Sequence, residues 1–170
     1  MPDNVANMIA CSIVSARLDY CTSLLHGMSE VNFAKLQCVQ NTKARVVTGT
    51  RSNDHFKEEV MHITPVLAKL HWLPVKARIA FKLAMQVYNI RHTSSPPHLA
   101  SLLSEYKSVR NLRSSVNHLL KVNPPRLKCS ETEFRHAAVA VWNTLRQTVR
   151  ECGRVGTLRK HLNNNSHKST

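Results

Sequence analysis

The chain is poor in the residues that build phosphate loops and metal-dependent active sites. Only four of its 170 residues are glycine. It contains no GxGxxG, no Walker-type loop and no GxSxG, which argues against a dinucleotide fold, a P-loop and a nucleophile elbow. Aspartate is scarcer: Asp3, Asp19 and Asp54 stand alone, none beside another acid. Two-metal polymerases and nucleases need clustered carboxylates, and no Tyr-x-Asp-Asp occurs. Glu58-Glu59 is the one paired acid, and neighbours on a helix point in different directions. The apolar stretch from Val5 to Ala16 is too short to cross a bilayer and lacks a basic leader.

Cysteine is sparse and badly spaced for a framework. The five cysteines (Cys11, Cys21, Cys38, Cys129, Cys152) are odd in number and form no CxxC. They read as reduced thiols, mostly small core fillers, in a soluble intracellular chain. A structural zinc site needs four close ligands. His55 and His62 are seven apart, as are Cys129 and His136, so neither pair forms a knuckle. No metal and no cofactor is expected. Cys21 and His26 sit five apart, which on a helix points them away from each other and gives no nucleophile–base pair.

What the sequence has is helix-forming residues and positive charge. Hydrophobic content is 42%, enough for a core, and the net charge is +14. Such an excess favours a polyanionic partner, RNA or DNA. The charge is uneven. Up to Ala34 the only base is Arg17, whereas 107–128 holds Lys107, Arg110, Arg113, Lys121, Arg126 and Lys128 without an acid.

Periodicity predicts an all-α, bundle-like single domain over 1–162, with a polar tail over 163–170 expected to be disordered. A first helix is expected from about Asn4 to His26, stopping at Gly27. A second runs from an N-cap at Ser29 to Thr48, with Leu36, Val39, Lys43 and Val46 on one face and Gly49 as the stop. Thr64 and Pro65 open a short turn, and Pro74 opens a third long helix over Val75–Arg91 with the stripe Ile79, Leu83, Val87, Ile90. His98 to Tyr106 reads as a short helix. An extended or hairpin segment is expected near 112–128, around Leu119–Val122. Ser130 and Glu133 make a capping box for a last long helix carrying Phe134, Ala137, Ala138, Val141, Trp142, Leu145 and Val149. Val155, Leu158 and Leu162 mark a final short one. Trp72, Trp142, Phe134 and Phe81 fit core packing better than base stacking. Lys76, Arg78 and Lys82 open their helix where acids are preferred, which points to a role outside stability.

Several runs in one order resemble the region after the polymerase core in LINE-type (non-LTR) retrotransposon reverse transcriptases of the jockey and chicken-repeat kind. Ser15 to Leu25 is similar to "SRLDYCNSLL", and Leu36 to Gly49 to "LQRVQNxAARLVTG". His62 to Arg78 is similar to "HITPVLxxLHWLPVxxRI". Leu112–Ser115 with Leu119-Leu120, and Ala137-Ala138 with Trp142–Leu145, are similar to the later "LRSS…LL" and "AAPxLWNSLP". Phe56 to Met61 is an insertion relative to that pattern. Arg146 replaces a proline, so the last long helix is expected to run on.

The resemblance implies a helical thumb and C-terminal extension without the palm, fingers or endonuclease, hence a fragment that is not itself an enzyme. A thumb grips a template–primer duplex through its backbone, a task for basic helix faces. Lys43, Arg45, Lys76, Arg78, Lys82, Arg110 and Arg113 are the candidate phosphate contacts. The alternatives are a helical protein-interaction module, self-associating through apolar surface left bare, or a remnant of a decayed element. A basic stripe continuous across the second and third long helices would favour nucleic acid; a large exposed apolar face would favour a partner.

Overall fold

The computed structural model describes residues 3–20, 22–49, 63–107, 118–124 and 133–166. Among them the fold is all-α. The helices are α1 (Asp3–Asp19), α2 (Glu30–Thr48), α3 (Ile63–Lys69), α4 (Val75–Thr93), α5 (Pro97–Ala100), α6 (Phe134–Thr144), α7 (Gln147–Arg150) and α8 (Val155–Ser166), with a 3-10 turn over Thr22–Leu25.

Helix α4 is the axle. Its predicted stripe is buried throughout, Ile79, Leu83, Val87 and Ile90 all being nearly inaccessible. Each such side chain contributes about 1.5–3 kcal/mol by leaving water. One end, through Val75, Ile79 and Leu83, packs on Ala137 with Leu25, Phe33 and Leu36. The other end, through Ala84, Val87 and Tyr88, meets Leu120, Trp142, Val149, Leu158 and Leu162. A third cluster joins Ala44 of α2 to Val66 and Leu67 of α3, with Trp72 against it.

The first predicted helix is shorter than periodicity suggests. It ends at Asp19, and the Thr22 hydroxyl donates to the Leu18 carbonyl at 2.7 Å. That is the acceptor a continuing helix would offer to the Thr22 amide. Helix α2 keeps the predicted limits, with Ser29 extended at the N-cap and Gly49 left-handed at φ 66°. The Ser29 hydroxyl makes no capping bond; its carbonyl accepts from Asn32 and Phe33. Only part of the predicted α2 face is buried, with Leu36 packing on the core and Lys43 inside. Gln40, Lys43 and Ala44 are inside, whereas Val39 and Val46 are exposed.

Helix α3 ends in a reciprocal pair of bonds. The Trp72 amide donates to the Leu67 carbonyl at 2.8 Å and the His71 amide to Ala68 at 3.0 Å, with His71 left-handed at φ 55°. This is a Schellman stop with histidine where glycine is usual. It turns Trp72 back onto Leu67 before Pro74 takes the N-cap position of α4.

Three further expectations are corrected. The helix expected over His98–Tyr106 is one turn, Pro97–Ala100. Beyond it Glu105 pairs antiparallel with Leu120, with Tyr106 donating to Leu119 and Lys121 to Ser104. The extended segment near 112–128 is thus present at 118–124, held by a side chain: the Asn143 amide accepts from the Leu120 N–H and donates to its C=O, both at 3.0 Å. The last long helix breaks at Leu145 instead of running on past Arg146. The Arg150 guanidinium donates to the carbonyls of Asn143 (3.1 Å) and Leu145 (2.7 Å). It thereby satisfies the end of α6 and lets α7 return Val149 to the core. Ser130 lies outside the described residues, and Glu133 is the N-cap. Helix α8 reaches Ser166, four residues into the expected tail. None of the described helices is long and apolar enough to cross a membrane.

Candidate nucleic-acid interface

Of the seven candidate cations, the five among the described residues differ in exposure and partners. Lys43 is corrected outright: it is 7% exposed, its ammonium lies 3.9 Å from the centroid of the Trp72 ring, and it donates to Ser15 Oγ. A buried cation satisfied by an aromatic face and a hydroxyl is not available to an external phosphate. Lys76 Nζ sits 2.6 Å from Glu30, and Arg78 Nη1 2.9 Å from Asp19. These contacts answer the charge conflict at the start of α4, because acids at the ends of α2 and α1 neutralise the bases there. The Lys76 pair is exposed and worth at most about 1 kcal/mol. Arg45 is half-buried near the end of α2. Lys82 is exposed and makes no ion pair with a described residue. Arg110 and Arg113 lie outside the described residues.

Two further arginines are structural. Arg91 pairs with Glu105 at 2.7 Å and lies over Trp142, 5.4 Å from its ring centroid. Trp142 Nε1 donates to the His118 carbonyl at 3.0 Å, so this tryptophan is satisfied and buried. Burial lowers the pKa of Arg150 from its usual value; Arg91 adds to that and Glu151 opposes it. Phe134 and Phe81 pack against the core, as the helical phasing predicts, and none of these aromatics forms an open stacking platform.

Exposed bases occur along the whole chain, among them Arg17, Lys35, Lys69, Lys121 and Arg135, and four stand in the C-terminal segment. Arg146, Arg154, Arg159 and Lys160 are exposed and make no ion pair with a described residue. Arg154 provides the carbonyl that accepts from Thr157 and Leu158 at the start of α8. No acid stands in the first turn of that helix. Its unbonded N–H groups and the positive end of its dipole therefore add to the cations. Sequence reasoning passed over this group, although the signal was legible: after Glu151 the chain contains no acid at all.

A shallow cleft of about 170 Å³ gathers Arg91, His92, Glu105, His118, Glu151 and Cys152. In it the Cys152 thiol donates to the Thr148 carbonyl at 3.1 Å, and His118 contacts Arg91. Among the described residues no three His, Cys, Asp or Glu side chains converge to hold a metal ion. Cys38 is exposed rather than a core filler, and Cys152 is half-buried; both are free thiols. Cys21, Cys129, His55 and His62 lie outside the described residues.

Among the described residues the fold is all-α, and the chain is basic with no acid after Glu151. Comparison with protein families, with curated proteins and with solved structures finds no match.

Proposed function

We propose that this chain is the non-catalytic helical region that follows the polymerase core of a LINE-type reverse transcriptase, and that it binds the backbone of RNA or DNA without reading sequence. The observation that carries the binding reading is the set of exposed bases Arg146, Arg154, Arg159 and Lys160, which make no ion pair with a described residue, in a segment without an acid after Glu151 on a chain of net charge +14. Exposed bases without partners keep their full charge for phosphates and release condensed counterions on contact. The family origin rests on the ordered runs Ser15–Leu25, Leu36–Gly49, His62–Arg78 and Trp142–Leu145.

Titration of the full chain with an RNA–DNA duplex and with single strands, at about 50 and 200 mM salt, tests the reading. Contact with four to five phosphates predicts a log–log salt slope of about −4 and little dependence on base sequence. Absence of binding at about 50 mM salt sinks the proposal.

A further inference from the structure

Helix α1 turns an apolar stripe outward. Val5, Met8, Ile9, Ser12, Ile13 and Ala16 follow one another at helical spacing, and all are exposed, Met8 by 67% and Ile13 by 58%. That spacing marks the face an amphipathic helix normally buries. The one polar member asks nothing of a partner, since the Ser12 hydroxyl already donates to the Ile9 carbonyl at 2.8 Å. The stripe can therefore be covered without orphaning a donor.

Charge identifies what covers it. A chain of net charge +14 repels its own copies over most of its surface. The surface around α1 is the exception: up to Ala34 the only base is Arg17, and Asp19 and Glu30 neutralise Arg78 and Lys76 of α4, so a copy meets little net charge there. The order of the stripe is also its own mirror along the chain. Reversing the helix about the bond between Ala10 and Cys11 sets Val5 opposite Ala16, Ile9 opposite Ser12 and Met8 opposite Ile13. Large then meets small at two of the three levels. Such self-complementarity is what a two-fold interface requires.

We infer that α1 is a homodimerisation helix, pairing antiparallel with α1 of a second copy through Val5, Met8, Ile9, Ile13 and Ala16. The stripe is about 17 Å long, at the small end of specific interfaces, so the dimer is reversible and dissociates on dilution from about 100 µM to about 1 µM.

Sedimentation equilibrium of the full chain from about 1 to 200 µM, at about 0.1 and 0.5 M salt, tests the inference. Dimer is expected at the top of the range and more of it at higher salt, because screening weakens the repulsion between copies. Nucleic-acid binding moves the opposite way with salt, so the two proposals fail separately. I9E and I13E, both at exposed positions, are expected to keep the far-UV circular dichroism and to be monomeric throughout; V39E, on the exposed side of α2, is expected to dimerise like the parent. A parent chain that stays monomeric at 0.5 M salt, dimerisation unaffected by I9E and I13E, or loss of the dimer in V39E overturns the inference.

Discussion

Gln40 of α2 donates from Nε2 to the carbonyl of Leu73 at 2.8 Å, across 33 residues of sequence. One turn earlier Gln37 accepts from the Val75 amide at 2.9 Å. The two glutamines thus grip the backbone on either side of Pro74, which itself has no N–H to give. The corner between Trp72 and α4 is pinned to α2 rather than left as a hinge. It also fixes the direction in which α4 enters the core.

Replacing Gln40 should therefore be costly. Its side chain is 1% exposed. Q40A removes the donor for a part-buried carbonyl and leaves a void, an expected loss of about 2–4 kcal/mol. Urea denaturation followed by Trp fluorescence measures it. A loss below about 0.5 kcal/mol would mean that the corner holds itself.

Lys43 tests whether charge or packing matters beneath Trp72. K43M keeps a long chain over the indole and should fall within about 1 kcal/mol of the parent, because a buried charge gains little over an apolar isostere. K43A uncovers the ring and should lose about 1–2 kcal/mol. Duplex affinity should be unchanged in K43M; a drop would place Lys43 on the phosphates after all.

His71 occupies a left-handed position that glycine adopts without strain. H71G is expected to raise stability by up to about 1 kcal/mol. A destabilised H71G, seen as a lower urea midpoint at unchanged slope, would contradict the Schellman reading.

His26 gives the fold a pH dependence. Burial lowers its pKa from 6.5, and its Nδ1 is buried without a partner among the described residues. The unfolded chain then takes up a proton at a pH where the folded chain does not. This contribution to stability is present above pH 6.5 and is lost as pH falls below it toward the folded pKa. Denaturation curves between about pH 7.5 and 5.5 should show a shallower decline in H26Q than in the parent. Equal slopes would assign the acid sensitivity to other groups.

Much of the fold was legible because periodicity reports burial where apolar residues do the packing. The α4 stripe, Leu158 with Leu162, and the Gly49 stop follow directly. Periodicity read α2 only in part: Leu36 and Lys43 of the predicted face turn inward with the polar Gln40, while Val39 and Val46 face out. It missed the break at Leu145 because nothing in Leu-Arg-Gln stops a helix; a guanidinium arriving from Arg150 does. The partners of the candidate cations were hidden for a similar reason. Lys76 and Arg78 look free in sequence, and their acids come from 46 and 59 residues away. The C-terminal bases make no ion pair with a described residue, and the sequence already showed that no acid follows Glu151.

The most direct measurement of the nucleic-acid account compares the salt dependence of duplex binding for the parent and for R154Q/R159Q/K160Q. These exposed side chains are not needed for folding, so circular dichroism should match. The parent should show a slope of about −4, and the triple variant one shallower by about 2 to 3, with weaker binding to every sequence alike. An unchanged slope and affinity in the triple variant would contradict the account.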